Sequence, residues 1–375
     1  MTFAFRQIHW VIALLAVFSV GGCSKTPPRP SDIILVTLDT TRRDHLGAYG
    51  YHRPVSPHLD AFAIGADVYT RAYSSASWTV PAHASIFTGL HSSDHGAHMT
   101  PGSGMADRLR ADVPTLAEQL HGRGYATGAI VGAHTMHEET GFARGFDLYD
   151  APAGTDALSS RRADVLTSRA LSWLDQQEAR PVFLFVNYFD PHMPYWPSAA
   201  CHERFARGVA PHGKTPGKWH RRPLDENLQL YDAEICFMDE QFGVLLEGLK
   251  ERRRLRNALV IVVADHGETF DPVKGITHGT TLNEELIRVP LLVKHPGQTR
   301  GARVDEVFET RKLSQTVLAA AKALATEPAG DDDDAQELAI SELWHGDPKR
   351  PNPVRRALIS WPLKLVVPPG GVPGA

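Results

Sequence analysis

Three stretches of this chain carry side chains that together can do ester chemistry. Ile33-Ile34-Leu35-Val36-Thr37-Leu38-Asp39 and Val260-Ile261-Val262-Val263-Ala264-Asp265-His266-Gly267 are each a β-branched apolar run that stops on an acidic residue. Such runs read as buried parallel strands. In an open α/β sheet, ligands bind beyond the carboxyl ends of the strands. Asp39, Asp265 and His266 are therefore expected at one sheet edge, where two carboxylates and an imidazole suit one divalent cation. Calcium, magnesium, manganese and zinc all fit that donor set. Between the two runs stands Ser77-Trp78-Thr79-Val80-Pro81, which puts a hydroxyl where a helix begins and backbone N–H groups favour an anion. Ester hydrolysis is the chemistry these pieces imply.

The elements that must position them alternate strand and helix, which predicts a doubly wound α/β fold: a mostly parallel sheet covered by helices. Strands are expected over 33–38, 67–72, 125–131, 182–188, 260–263 and 289–293. Helices are expected from a Ser56 cap through 63, over 82–88 up to Gly89, and over 113–121, 163–177 and 228–250. The character changes near 301, so 32–300 reads as the catalytic domain and 301–375 as a short C-terminal subdomain with a helix over 313–324 and a strand over 357–367. Asp331-Asp332-Asp333-Asp334 lacks the spaced ligands of a calcium loop and reads as a solvated segment.

The chain has 375 residues and a formal net charge of −4, with no dense basic stripe, so nucleic acid is not an expected partner. Residues 1–22 read as a signal peptide: Arg6, an apolar stretch from Trp10 to Val20, then Val20-Gly21-Gly22-Cys23. The stretch is shorter than the roughly 20 residues a spanning helix needs. Cys23 directly after the small residues resembles the lipidated cysteine of bacterial lipoproteins, and 23–31 is a proline-rich tether. These features predict an exported, membrane-anchored protein at the periplasmic face or cell surface. Cys201 and Cys236 remain, able to pair in an oxidising compartment, though sequence alone gives them no geometry.

Taken in order, Leu38-Asp39-Thr40-Thr41-Arg42, Ser56-Pro57-His58, Thr79-Val80-Pro81 with Thr88-Gly89, Phe189-Asp190-Pro191-His192-Met193-Pro194-Tyr195, Ala264-Asp265-His266-Gly267-Glu268 and Arg288-Val289-Pro290 resemble the sulfatase branch of the alkaline phosphatase superfamily. The resemblance implies metal ligation by Asp39, Asp265 and His266, completed by Thr79. Thr40 replaces a further metal aspartate, so a single ion is expected. Thr79 occupies the position of the residue that sulfatases oxidise to formylglycine. Threonine cannot undergo that change, so no formylglycine is expected and the hydroxyl itself becomes the nucleophile. His83 stands where the family has an arginine. Arg42, His83, His192 and His278 are expected to steady substrate oxygens or protonate the leaving group, with an Arg42–Asp44 salt bridge as the plain alternative. His91-Ser92-Ser93-Asp94-His95-Gly96-Ala97-His98 invites a second metal site, but the resemblance makes it a structural turn. The implied substrate is a sulfated or phosphorylated small molecule or glycan. Two alternatives stay open: an envelope phosphotransferase of the phosphoethanolamine or glycerol-phosphate type, and a catalytically degenerate surface-binding lipoprotein.

Overall fold

The computed structural model describes residues 31–367 except 100–106, 155, 178–179, 213–221, 274, 323–337 and 345–353. Cys23 and the Asp331–Asp334 run lie outside the described residues. Strands β1 (Ile33–Leu38), β2 (Asp67–Tyr73), β3 (Ala126–Val131), β4 (Leu148–Asp150), β5 (Val182–Tyr188) and β6 (Leu259–Val263) are followed by a small hairpin, β7 (Thr269–Asp271) and β8 (Gly275–Thr277). Then come β9 (Arg288–Lys294), β10 (Arg303–Glu309), β11 (Ala339–Trp344), β12 (Val354–Ser360) and β13 (Leu363–Val367). The helices are α1 (Pro57–Ile64), α2 (Thr79–Thr88), α3 (Ser92–His95), α4 (Leu116–His121) and α5 (Ala163–Asp175), then α6 (Ala199–Phe205), α7 (Leu224–Glu251), α8 (Glu284–Ile287) and α9 (Leu313–Lys322).

Eight strands form the main sheet in the order β10-β2-β9-β6-β1-β5-β3-β4. Only β9 runs against its neighbours, β2 and β6. Every residue of β1, β5 and β6 is buried, as continuous apolar strands covered on both faces must be. The parallel register pairs Thr37 with Val263. Asp39 and Asp265, each two residues further on, therefore leave adjacent strands side by side. A one-residue slip would turn one of them away.

Helix α2 begins at Thr79, three residues before the expected start, and closes on Gly89 at φ 78°. Pro81 sits in its first turn, where no N–H is needed. Ser56, expected to cap α1, makes no cap bond. Its hydroxyl accepts from the Gly47 N–H at 3.0 Å, and the buried Asp239 of α7 takes the His58 and Leu59 N–H groups at 2.9 and 2.8 Å. A distant carboxylate outcompetes the local hydroxyl because it satisfies two orphan donors at once. Cys201 and Cys236 form a disulfide joining α6 to α7, with Cα atoms 5.8 Å apart.

β10 and β4 are the two edge strands of the main sheet, and a separate three-stranded sheet is formed by β11, β12 and β13. The strand expected over 357–367 is instead a hairpin of β12 and β13 turning at Trp361-Pro362, because proline has no N–H for the ladder. Among the described residues, no helix is long and apolar enough to cross a membrane.

Candidate metal centre and nucleophile

Asp39, Asp265 and His266 meet at the carboxyl ends of β1 and β6, all fully buried, with one ligand atom from each within 4.8 Å of the others. Thr40 takes a left-handed conformation, φ 52°, uncommon for a residue with a β-branched side chain. The turn is held from two sides: the Thr40 N–H donates to Asp265 Oδ1 at 3.3 Å, and the Tyr231 hydroxyl donates to the Thr40 carbonyl at 2.7 Å. Gly267 is required by close packing, since a Cβ there would lie 1.8 Å from the Glu285 carbonyl oxygen.

The imidazole tautomers follow from their neighbours. His266 Nδ1 donates to the Gly267 carbonyl at 2.8 Å, leaving the Nε2 lone pair facing Asp39 Oδ1 at 3.9 Å and Asp265 Oδ2 at 3.4 Å. That is the arrangement of a metal-ligating histidine. Asp39 Oδ1 and Oδ2 and Asp265 Oδ2 are buried without a hydrogen-bond donor. Uncompensated buried charge costs several kcal/mol per ion, so the donor set fits a cation. In the metal-free protein, burial first and the Asp265 charge next push Asp39 well above the usual carboxylate range. Asp265 rises too, mainly by burial, and burial drives His266 well below its ordinary value.

Thr79 places its hydroxyl 3.4 Å from His266 Nε2, at the N-terminus of α2. Its position is fixed by His83, whose Nδ1 donates to the Thr79 carbonyl at 2.9 Å while Nε2 accepts from the Thr37 hydroxyl at 2.9 Å. Both nitrogens are thus engaged in a fully buried ring. The expected substrate-oxygen contact from His83 is corrected: it braces the Thr79 backbone. For Arg42 the structure shows the plain alternative: its guanidinium pairs with Asp44 through Nε and Nη2 at 2.9 and 2.7 Å and reaches the Glu268 carbonyl at 3.2 Å.

His278 and His192 do join the centre. The His278 ring lies 4.7 Å from that of His266 and 5.0 Å from that of His192. Gly279, at φ +69°, donates its N–H to the Ser77 carbonyl at 2.8 Å, which ties the His278 loop to the approach of α2. Burial pulls His278 down, but the charge and hydrogen bond of Glu268, 3.1 Å from Nδ1, leave it above its ordinary value. His192 donates from Nδ1 to the Met193 carbonyl and is held neutral, chiefly by burial and then by His278. Sequence reading missed Glu268 and Tyr231 as site residues. Glu268 stands inside the quoted Asp265-His266-Gly267-Glu268 motif, two residues beyond a ligand, and that position was its signal. Tyr231 looked like one more apolar residue of a long helix.

The His91–His98 stretch does not form a metal cluster among the described residues. His95 uses both nitrogens, near the Ser85 hydroxyl at 3.1 Å and accepting from the Ala97 N–H at 3.1 Å, and His98 stacks on Trp344 at 3.8 Å. It is a structural turn.

The sequence profile described as Sulfatase matches residues 31–323. N-sulphoglucosamine sulphohydrolase of Homo sapiens is 27% identical over 336 residues, covering 82% of this chain and 64% of that protein, so the chain spans less than two thirds of its length. The arylsulfatase of Clostridium perfringens is 22% identical over 362 residues, covering 76% of this chain and 74% of that one. Among solved structures, phosphonate monoester hydrolase from Silicibacter pomeroyi superimposes with a TM-score of 0.69 at 21% identity, over 90% of this chain and 87% of that one. A protein solved in complex with its substrate D-glucosamine-2-N,6-O-disulfate gives a TM-score of 0.73 at 15% identity, over 90% and 89% of the two chains. The chain shares its fold with these solved structures and belongs to the sulfatase family.

Proposed function

We propose that this protein is a metal-dependent hydrolase of sulfate or phosphate esters, working outside the cytoplasm with Thr79 as its nucleophile. One observation carries this reading: the Thr79 hydroxyl lies at a helix N-terminus, 3.4 Å from His266 Nε2, beside carboxylate oxygens that lack any donor. A divalent ion held by Asp39, Asp265 and His266 would favour the ionised hydroxyl and neutralise ester oxygens, worth several kcal/mol. The N-terminal end of the α2 dipole favours the same anionic group. Thr79 Oγ1 forms a bond to phosphorus or sulfur while the bond to the alcohol oxygen breaks. His278, whose hold on a proton Glu268 strengthens, supplies the proton to that oxygen. The neutral His278 then takes a proton from the water that cleaves the threonine ester, which restores both residues. Phosphate esters are the expected better substrates, because a threonine sulfate lacks the aldehyde-hydrate route of sulfate release.

The disulfide between Cys201 and Cys236 supports an oxidising compartment, in keeping with the 1–22 leader and lipidation at Cys23. Replacing Cys23 by alanine should abolish acyl labelling; unchanged membrane partition would contradict the anchor. The disulfated sugar bound by a protein of the same fold supports a sulfated or phosphorylated glycan or small molecule as ligand. The test is turnover of p-nitrophenyl sulfate, p-nitrophenyl phosphate, phenylphosphonate and bis-p-nitrophenyl phosphate across a metal panel. Thr79→Ala should be inactive and Thr79→Ser partly active. Fast sulfate hydrolysis that survives Thr79→Ala would overturn the reading.

A further inference from the structure

His192 reaches the metal centre on a loop, residues 189–196, between β5 and α6. Its ring stacks on Phe189 at 4.3 Å, and its N–H donates to the Phe189 carbonyl at 2.8 Å, so the imidazole goes where the start of the loop goes. Both ends of that loop are tied by carboxyls. Asp190 Oδ2 accepts the N–H of Ala163, the first residue of α5, at 2.8 Å. Glu234 Oε1, from α7, accepts the Trp196 N–H.

The two carboxyls are 8% and 2% exposed and hydrogen-bond to each other. Two carboxyls can do so only when one carries a proton. No N–H of the protein reaches Glu234 Oε2, and the proton shared with Asp190 is what satisfies it. Burial, then the charge of Asp190, raises Glu234 well above the usual carboxylate range, which keeps that proton in place. The pair carries one negative charge, and the Arg162 guanidinium beside it offsets that charge. Arg162 also donates to the Trp196 carbonyl at 2.6 Å, on the same end of the loop. Tyr231, one turn earlier on α7, holds the Thr40 carbonyl at 2.7 Å. Residues three apart share a helix face, so one face of α7 sets both the metal-binding turn and the loop of His192.

We propose that Asp190 and Glu234 are positioning residues, whose carboxyl–carboxylate pair fixes His192 at the metal centre without touching substrate. The effect on turnover rests on the hydrolase reading, whereas the position of the His192 ring can be read without any reaction.

Two variants of Glu234 separate the tie from the space it fills. Glu234→Gln keeps the tie, because its amide N–H donates to Asp190 while its amide oxygen accepts from Trp196. Glu234→Leu has a similar volume and neither group. The first measurement is NMR of the metal-loaded protein with isotope-labelled histidine, the His192 signals being those that vanish in His192→Ala. They should stay in place in Glu234→Gln and move in Glu234→Leu. Signals that stay in place in Glu234→Leu, or that move as far in Glu234→Gln, would overturn the proposal. The second is infrared difference spectroscopy at about pH 8, where ordinary carboxyls are ionised. The unaltered protein should show a protonated-carboxyl C=O band that Glu234→Gln removes. Absence of that band would overturn the proposal even if Glu234→Leu fails to fold. The third is turnover of p-nitrophenyl phosphate. Glu234→Leu should lower kcat/KM roughly tenfold with the ion content unchanged, and should add less than about twofold to the loss in His192→Ala. An equal loss in both backgrounds would mark a general structural fault and overturn the proposal. No turnover by the unaltered protein would contradict the hydrolase reading alone, and the NMR signals would still decide the position of His192.

Discussion

The candidate metal centre and the His91–His98 turn are both rich in histidine and carboxylate, yet among the described residues only the first brings together a donor set that suits a cation. At the turn, the two buried carboxylates, Glu309 and Glu342, each have a guanidinium beside them. Glu342 is 2.7 Å from Arg356 Nε and accepts the Ser93 N–H at 2.8 Å, while Glu309 is 3.1 Å from Arg311 Nε. At the centre, Arg42 turns to Asp44 and the oxygens of Asp39 have no guanidinium and no hydrogen-bond partner. The histidines differ likewise: His95 uses both nitrogens internally, whereas His266 spends only Nδ1 on the backbone. Composition marks both regions. Charge balance and free lone pairs separate them.

Removing either ligand carboxylate should have the largest effect. Asp39→Ala or Asp265→Ala should lose most of the bound ion by elemental analysis, with turnover falling on the order of 10³-fold or more. His91→Ala should leave the ion content unchanged. A stoichiometric ion kept in the double variant Asp39→Ala, Asp265→Ala would erase the distinction between the two regions. Glu268→Gln comes next: without the carboxylate that raises His278's proton affinity, kcat should drop about 10²-fold while the ion stays bound. An unchanged kcat would remove Glu268 from the mechanism.

Chelation should act on stability in a pH-dependent way. Burial raises Asp39 and Asp265 in the metal-free fold, so their contribution is favourable below the unfolded carboxylate range and is lost as pH rises. The gap in Tm between loaded and metal-free protein should therefore widen from about pH 5 to about pH 8. A gap that narrows over that range would contradict the assignment. The smallest effect belongs to the turn. Burial raises Glu309 from 4.5 to about 7, so stability present at acid pH is lost as pH rises through about 7. Glu309→Gln should flatten that loss, measured by thermal melts, without altering ion content.

The strand ends were legible because β1 and β6 announce themselves as apolar runs that stop on Asp39 and Asp265, and because a parallel sheet gathers its carboxyl ends at one edge. Thr79 was legible from its proline and the helix that follows. The role of His83 was not, because a motif position fixes where a side chain begins and not what it grips; Thr37 decides it. For Arg42 the sequence offered both a substrate contact and the Asp44 bridge without a means to choose. Capping failed at Ser56 for the same reason: Asp239 arrives from a helix far along the chain, beyond any local pattern. The hairpin at Pro362 was missed although proline is itself a break signal.

The central claim is that Thr79 Oγ1 becomes covalently attached to the group it removes. Rapid acid quench of the metal-loaded protein during turnover of p-nitrophenyl phosphate, followed by peptide mass spectrometry, tests this directly. The account predicts one phosphoryl group on the peptide that contains Thr79, at Thr79 itself, and none in Thr79→Ala. A phosphoryl group on another residue, or turnover that continues in Thr79→Ala with no adduct at all, would contradict it.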